Sequence, residues 1–120
     1  MSQFRDSRGV IVDLVPDFME EGINAITLIS SVKGAVRGNH FHKKTHQWTY
    51  VVKGKTRSIH VINGKTYDTT WEPGNLIGHA PGVPHAFEAI EDTEWLVFTK
   101  GPRAGDDYES DTFRLEVPLI

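Results

Sequence analysis

The chain has 120 residues, 38% hydrophobic and 24% charged, with a formal net charge of −3. That length suits one domain over residues 1–120 with one buried core, and the composition is too apolar for disorder. The acidic balance, with no basic run longer than Lys43-Lys44, argues against nucleic acid; the absence of cysteine excludes disulfides, thiolate zinc sites and thiol nucleophiles, so any metal must use nitrogen and oxygen ligands.

Met1-Ser2-Gln3-Phe4-Arg5-Asp6 holds no apolar leader segment, and no apolar run approaches the roughly 18 residues of a membrane span. A cytoplasmic chain with no membrane partner is expected. Val10–Val15 reads as a strand stopped by Pro16, and Asp17–Gly22 holds one helical turn at most. Asn24–Val32 is β-branched and apolar, hence a strand. Gly34 and Gly38 bracket a bend before Asn39–His42. Gln47–Lys53 is the strongest strand; its alternation puts Gln47, Thr49 and Val51 on one face and Trp48, Tyr50 and Val52 on the other.

Arg57–Asn63 and Thr66–Trp71 are joined at Asn63-Gly64, a type I′ hairpin signal. Glu72-Pro73-Gly74 is a turn, followed by strands at Asn75–Ala80, Ala86–Ile90 and Trp95–Lys100. Gly101–Ser110, with Asp106-Asp107 and Glu109, reads as a solvated loop, and Thr112–Leu119 as a last extended piece on a sheet edge. Many short strands spaced by turns predict an all-β sandwich or barrel. Trp48, Tyr50, Trp95 and Phe98 make both faces of their strands apolar. One interior cannot bury both, so a homodimer is expected.

There are six histidines, and their placement matters more than their number. His40 and His42 lie at i and i+2, which on a strand puts both imidazoles on one face. After the polar turn Lys43-Lys44-Thr45, either His46 or Gln47 could join them, depending on register. His85 follows Pro81-Gly82-Val83-Pro84, whose prolines stiffen its approach. His60 and His79 are read as structural or solvent-facing.

These residues resemble the cupin superfamily. Its first motif, G-x5-H-x-H-x(3,4)-E-x6-G, is matched by Gly34, His40, His42, Gln47 and Gly54, with glutamine in place of glutamate. Placing His46 third would put Lys53 where the glycine belongs, which favours Gln47. The second motif, G-x5-P-x-G-x2-H-x3-N, is matched at Gly74, Gly82 and His85, with Ala80 and Ala89 replacing proline and asparagine. The resemblance spans roughly residues 6 to 113. It implies a double-stranded β-helix, the all-β cupin jelly-roll barrel. It also maps His40, His42, Gln47 and His85 onto ligands for a divalent metal such as Ni, Zn, Fe, Mn or Cu.

Arg37-Gly38-Asn39-His40-Phe41-His42-Lys43-Lys44, with Gln47, is similar to sugar-nucleotide-modifying cupins. These include the dTDP-4-keto-6-deoxyglucose 3,4-ketoisomerases and the cupin domain of capsular-polysaccharide reductases. Asp6-x-Arg8-Gly9 and Asp107-Tyr108-x-x-Asp111-Thr112-Phe113 are similar to the same group. The resemblance implies metal-free proton transfer by histidine, with His42 at the catalytic position. The R-x-Y segment of the ketoisomerases is absent from Ile23–Ile29. The H-x-H-x4-Q pattern with a distal histidine is also similar to small metal-dependent cupins acting on uronates.

The expected activity is therefore isomerisation or epimerisation of a sugar or sugar nucleotide. His42 serves as acid/base; His40 and His85 orient it or bind the carbonyl oxygen; Arg37 pairs with an anionic group such as a diphosphate. The alternative is a non-catalytic metal- or sugar-binding module accessory to polysaccharide biosynthesis.

Overall fold

A computed structural model describes residues 2–13, 22–101 and 109–120. The stop at Pro16, most of the turn expected over 17–22 and the Asp106-Asp107 pair lie outside them. Among the described residues there are eleven strands: β1 Ser2–Asp6, β2 Gly9–Asp13, β3 Ala25–Ser31, β4 Val36–His42, β5 His46–Lys53, β6 Thr56–Ile62, β7 Lys65–Trp71, β8 Leu76–His79, β9 His85–Ala89, β10 Thr93–Lys100 and β11 Thr112–Arg114. β1 and β2 form a hairpin. The rest make two antiparallel sheets, ordered β3-β10-β5-β8 and β11-β4-β9-β6-β7. These are the two faces of the jelly roll, and no ladder joins them among the described residues. No described helix is long and apolar enough to cross a membrane.

The alternation in β5 decides the packing. Val51 turns inward with Ile77, Trp95 and Val97 of its own sheet and meets Phe87 of the other. Each buried Val, Ile or Phe of such a cluster contributes about 1.5–3 kcal/mol. The indole N–H groups that enter this interior are satisfied, since a buried donor without a partner is costly. Trp95 Nε1 donates to Thr56 Oγ1 at 2.8 Å, and Trp71 Nε1 donates to Ser58 Oγ at 2.7 Å.

Trp48, Tyr50 and Phe98 take the opposite face and form a second cluster with Ile23, Leu76 and Leu96. All three are buried within the one chain, so they are not the part of this face that a second copy would cover. The same sheet face continues into exposed Ile26 and Leu28 on the edge strand β3, opposite Phe98 and Leu96, and Phe4 and Ile11 are exposed on the hairpin.

Asn63 and Gly64 adopt φ of 51° and 77°, as a type I′ turn between β6 and β7 requires. β1 was not expected, because Ser2–Asp6 carries a single apolar residue and its pairing with β2 is what makes it a strand. Gly34 and Gly38 both take positive φ, 87° and 92°, and Gly34 sits in a turn closed by Ala35 N donating to the Val32 carbonyl at 2.9 Å. Backbone pairing of Val36, Arg37 and Gly38 with β9 keeps that stretch extended. The irregularity sits at Asn39, with φ of 56° and a register shift between Gly38 and His40. Asn39 Oδ1 accepts from the backbone of Leu119 at 2.7 Å and of Ile120 at 3.2 Å, which ties the C-terminal segment beside the bulge.

Candidate functional site

Strand register assembles the histidines. In one sheet His40 of β4 lies opposite His85 of β9, His85 opposite His60 of β6, and His60 opposite Tyr67 of β7. In the facing sheet Thr99 of β10 lies opposite Gln47 of β5, and Gln47 opposite His79 of β8. In-register partners present their side chains on one face. One end of the interior is therefore a belt of imidazoles drawn from four strands, with Gln47 across from it.

Three of these rings converge. One ring nitrogen from each of His40, His42 and His85 lies within 4.8 Å of the others. Ring centroids are 4.7 Å apart for His40–His42, 4.8 Å for His40–His85 and 5.6 Å for His42–His85. His42 and His85 are buried and His40 is half-buried. His42 Nδ1 donates to the Asp111 carbonyl at 3.0 Å, and His85 Nδ1 donates to the Val83 carbonyl at 2.9 Å. A carbonyl only accepts, so these bonds fix the tautomer and leave the lone pair on Nε2 in both rings. The loop before His85 is tied to β4 as well, because Gly82 N donates to the His42 carbonyl.

Burial is the main cause that keeps His40 and His85 neutral. It pushes His40 down to about 3, helped by the nearby His85, His42 and Arg114. It pushes His85 down to about 4, against the hydrogen bond to Val83, with His42 and His60 adding to the fall. Neutral imidazoles with Nδ1 anchored and Nε2 free are the form in which histidine binds metal. His85 Nε2 is buried with no hydrogen-bond partner among the described residues. The donor set therefore fits a divalent transition ion.

His40 and His85 open onto a cavity of about 440 Å³ between the sheets, which Gln47 and Thr49 line from the other side. The Gln47 amide donates weakly to Thr49 Oγ1 at 3.5 Å. His46 takes the opposite face of β5, where it stacks on Trp48 with centroids 3.9 Å apart. Of the two sequence candidates, Gln47 is thus the one that faces the cavity. Arg37 lines the cavity and is held by Ser31 Oγ at 2.7 Å and the Ser30 carbonyl at 3.0 Å.

Sequence reasoning missed three parts of the site. Glu109, Thr112 and Arg114 form a cavity wall from the tail, with Arg114 paired to Glu109 at 3.6 Å. Asp111 is buried and stitches that tail to the turn after β4. Its carboxylate accepts from the backbone of Lys43 and Lys44 at 3.1 Å, of Thr45 at 2.9 Å, and from Thr45 Oγ1 at 2.9 Å. His79, read as structural or exposed, is 2% exposed and stacks on His85. The only signal for the tail was the Asp111-Thr112-Phe113 likeness, and nothing in the sequence marked His79.

A two-sheet jelly roll with a clustered histidine centre at one end of its interior defines the class. Residues 15–110 match the cupin family, and the chain belongs to it. It is 34% identical over 76 residues to oxalate decarboxylase OxdC of Bacillus subtilis (strain 168), covering 62% of this chain. The match spans only 19% of that relative's length. Among solved structures, the fold is similar to QdtA, a sugar 3,4-ketoisomerase from Thermoanaerobacterium thermosaccharolyticum in complex with TDP. The TM-score is 0.80 at 19% identity, over 96% of this chain and 84% of the other. It is similar also to the dTDP-4-dehydrorhamnose 3,5-epimerase of Sulfolobus tokodaii. There the TM-score is 0.75 at 23% identity, over 87% and 69% of the two chains.

Proposed function

We propose that this chain is a sugar-nucleotide isomerase or epimerase that moves a proton next to a sugar carbonyl at the His40–His42–His85 centre. The observation that carries the reading is one cavity with neutral imidazoles on one side and Arg37 and Arg114 among its lining residues. Guanidinium groups match the geometry of a diphosphate, and the sugar would then lie toward the histidines. The fold likeness to the ketoisomerase and the epimerase supports the same class of ligand.

In this reading His42 is the acid/base. Its Nδ1–H is committed to Asp111, so its Nε2 lone pair takes the proton from the carbon beside the carbonyl and returns it at the neighbouring position. His40 donates an N–H to the carbonyl oxygen that gains charge in between, and His85, its Nδ1–H committed to Val83, holds the His40 ring edge-on at 4.8 Å. A second reading is favoured by the anchored tautomers and the unpartnered His85 Nε2: His40, His42, His85 and Gln47 would hold a divalent ion. That ion would supply Lewis-acid polarisation of a substrate oxygen. In this reading the chain works in the cytoplasm. Exposed Ile26 and Leu28, on the sheet face they share with Phe98 and Leu96, support a homodimer that packs this sheet against its partner.

The test is incubation with TDP-4-keto-6-deoxyglucose in D2O, followed by NMR, beside elemental analysis of untagged protein. Solvent deuterium should enter the sugar and a new isomer should appear. His42→Ala should bind the nucleotide without turning it over. Binding with no deuterium exchange would replace the enzyme with the non-catalytic sugar-binding module. Near-stoichiometric metal that disappears in His40→Ala would favour the metal-assisted form.

A further inference from the structure

We propose that His60 and His79 form a second transition-metal site, separate from the His40–His42–His85 centre. His79 is 2% exposed, and neither of its ring nitrogens has a hydrogen-bond partner among the described residues. A neutral imidazole carries one N–H and one lone pair, so this ring is buried with both requirements unmet. His60 Nδ1 is buried and unpartnered in the same way. Buried polar groups without partners are rare enough that each calls for a missing water or ion.

Ring geometry says which neighbour His79 serves. The lone pairs of imidazole lie in the ring plane. Two parallel stacked rings therefore send them along lines that do not meet, whereas rings set edge-on can direct them at one point. His79 and His85 stack with planes 4° apart and centroids 4.5 Å apart, so that contact cannot add His79 to the first centre. His79 and His60 stand at 65° with centroids 5.2 Å apart. These values fall within the range of the three pairs in the first centre, 4.7–5.6 Å and 44–88°.

The fold holds both rings in place. His60 stacks on Tyr67 at 5.2 Å, and His79 packs edge-on against Phe87 at 5.4 Å. The half-buried His60 gives an ion a way in and leaves further positions to water. Two imidazoles without thiolate or carboxylate suit zinc, copper, nickel or cobalt, and not magnesium or calcium. With two protein ligands the site is weaker than the three-histidine centre.

The test is equilibrium dialysis of the untagged 120-residue chain against Zn2+, with bound zinc measured by elemental analysis and folding checked by circular dichroism. Wild type should bind two equivalents. His40→Ala/His42→Ala should keep one, and adding His60→Ala should remove it. Folded His40→Ala/His42→Ala that binds no zinc overturns the proposal, as does residual zinc unaffected by His60→Ala. One equivalent in wild type that is lost with His60→Ala but kept with His40→Ala upholds the second site while the first centre fails as a metal site. If His40→Ala/His42→Ala does not fold, His60→Ala alone decides: it binds one equivalent fewer than wild type, or the proposal is wrong.

Discussion

Acid should unfold the metal-free protein well above the carboxylate range, because its interior is built on neutral histidines. An unfolded histidine titrates near 6.5, whereas burial holds His79 at about 2 and His85 at about 4. Between these limits the unfolded chain binds protons that the folded chain refuses, so stability is full above about pH 6.5 and falls as pH drops below it. From pH 7.5 to 5.5 each of the two rings removes about 1.4 kcal/mol, about 3 kcal/mol together. His40 adds less, since solvent screens a half-buried ring. That is a large part of the roughly 5–15 kcal/mol that holds an ordinary domain. Urea titrations at both pH values, followed by fluorescence of the tryptophans, should show the midpoint drop by more than about 1 M in acid. His79→Phe should remove about half of the pH dependence. Stability within about 1 kcal/mol at the two pH values would refute the claim that these rings are buried neutral.

Three further outcomes follow from packing. Asp111→Ala strips a buried carboxylate from the N–H groups of Lys43, Lys44 and Thr45 and should cost about 2–4 kcal/mol in urea unfolding, with Asp111→Asn losing less. Gly54→Ala should cost about 2–4 kcal/mol, because φ is +81° and the new Cβ would overlap the Asp92 carbonyl, a backbone atom that cannot swing away. Light scattering at micromolar concentration should give twice the 13.5 kDa chain mass, and Leu28→Glu should return it to 13.5 kDa. A monomeric wild type removes the homodimer.

The sequence by itself determined what depends on short range. Period-two alternation placed Gln47, Thr49 and Val51 opposite Trp48 and Tyr50, and it set His40 and His42 on one face, because side chains on a strand have no other choice. Asn63-Gly64 specified its own turn, since few residue pairs accept two positive φ angles. The two cupin motifs marked His85 across more than forty residues, but through family likeness and not through any local rule. Only the tertiary structure decided what depends on pairing between distant strands. The β4–β9–β6–β7 ladder lined up His40, His85, His60 and Tyr67, and the β5–β8 pair set His79 beside Gln47. The tail placed Asp111 and Arg114 against β4 through a strand of three residues, too short to announce itself. Burial of Trp48, Tyr50 and Phe98 likewise depended on neighbours distant in sequence, Ile23 and Leu76. Those facts are properties of the register between strands, and a chain read one residue at a time carries no record of register.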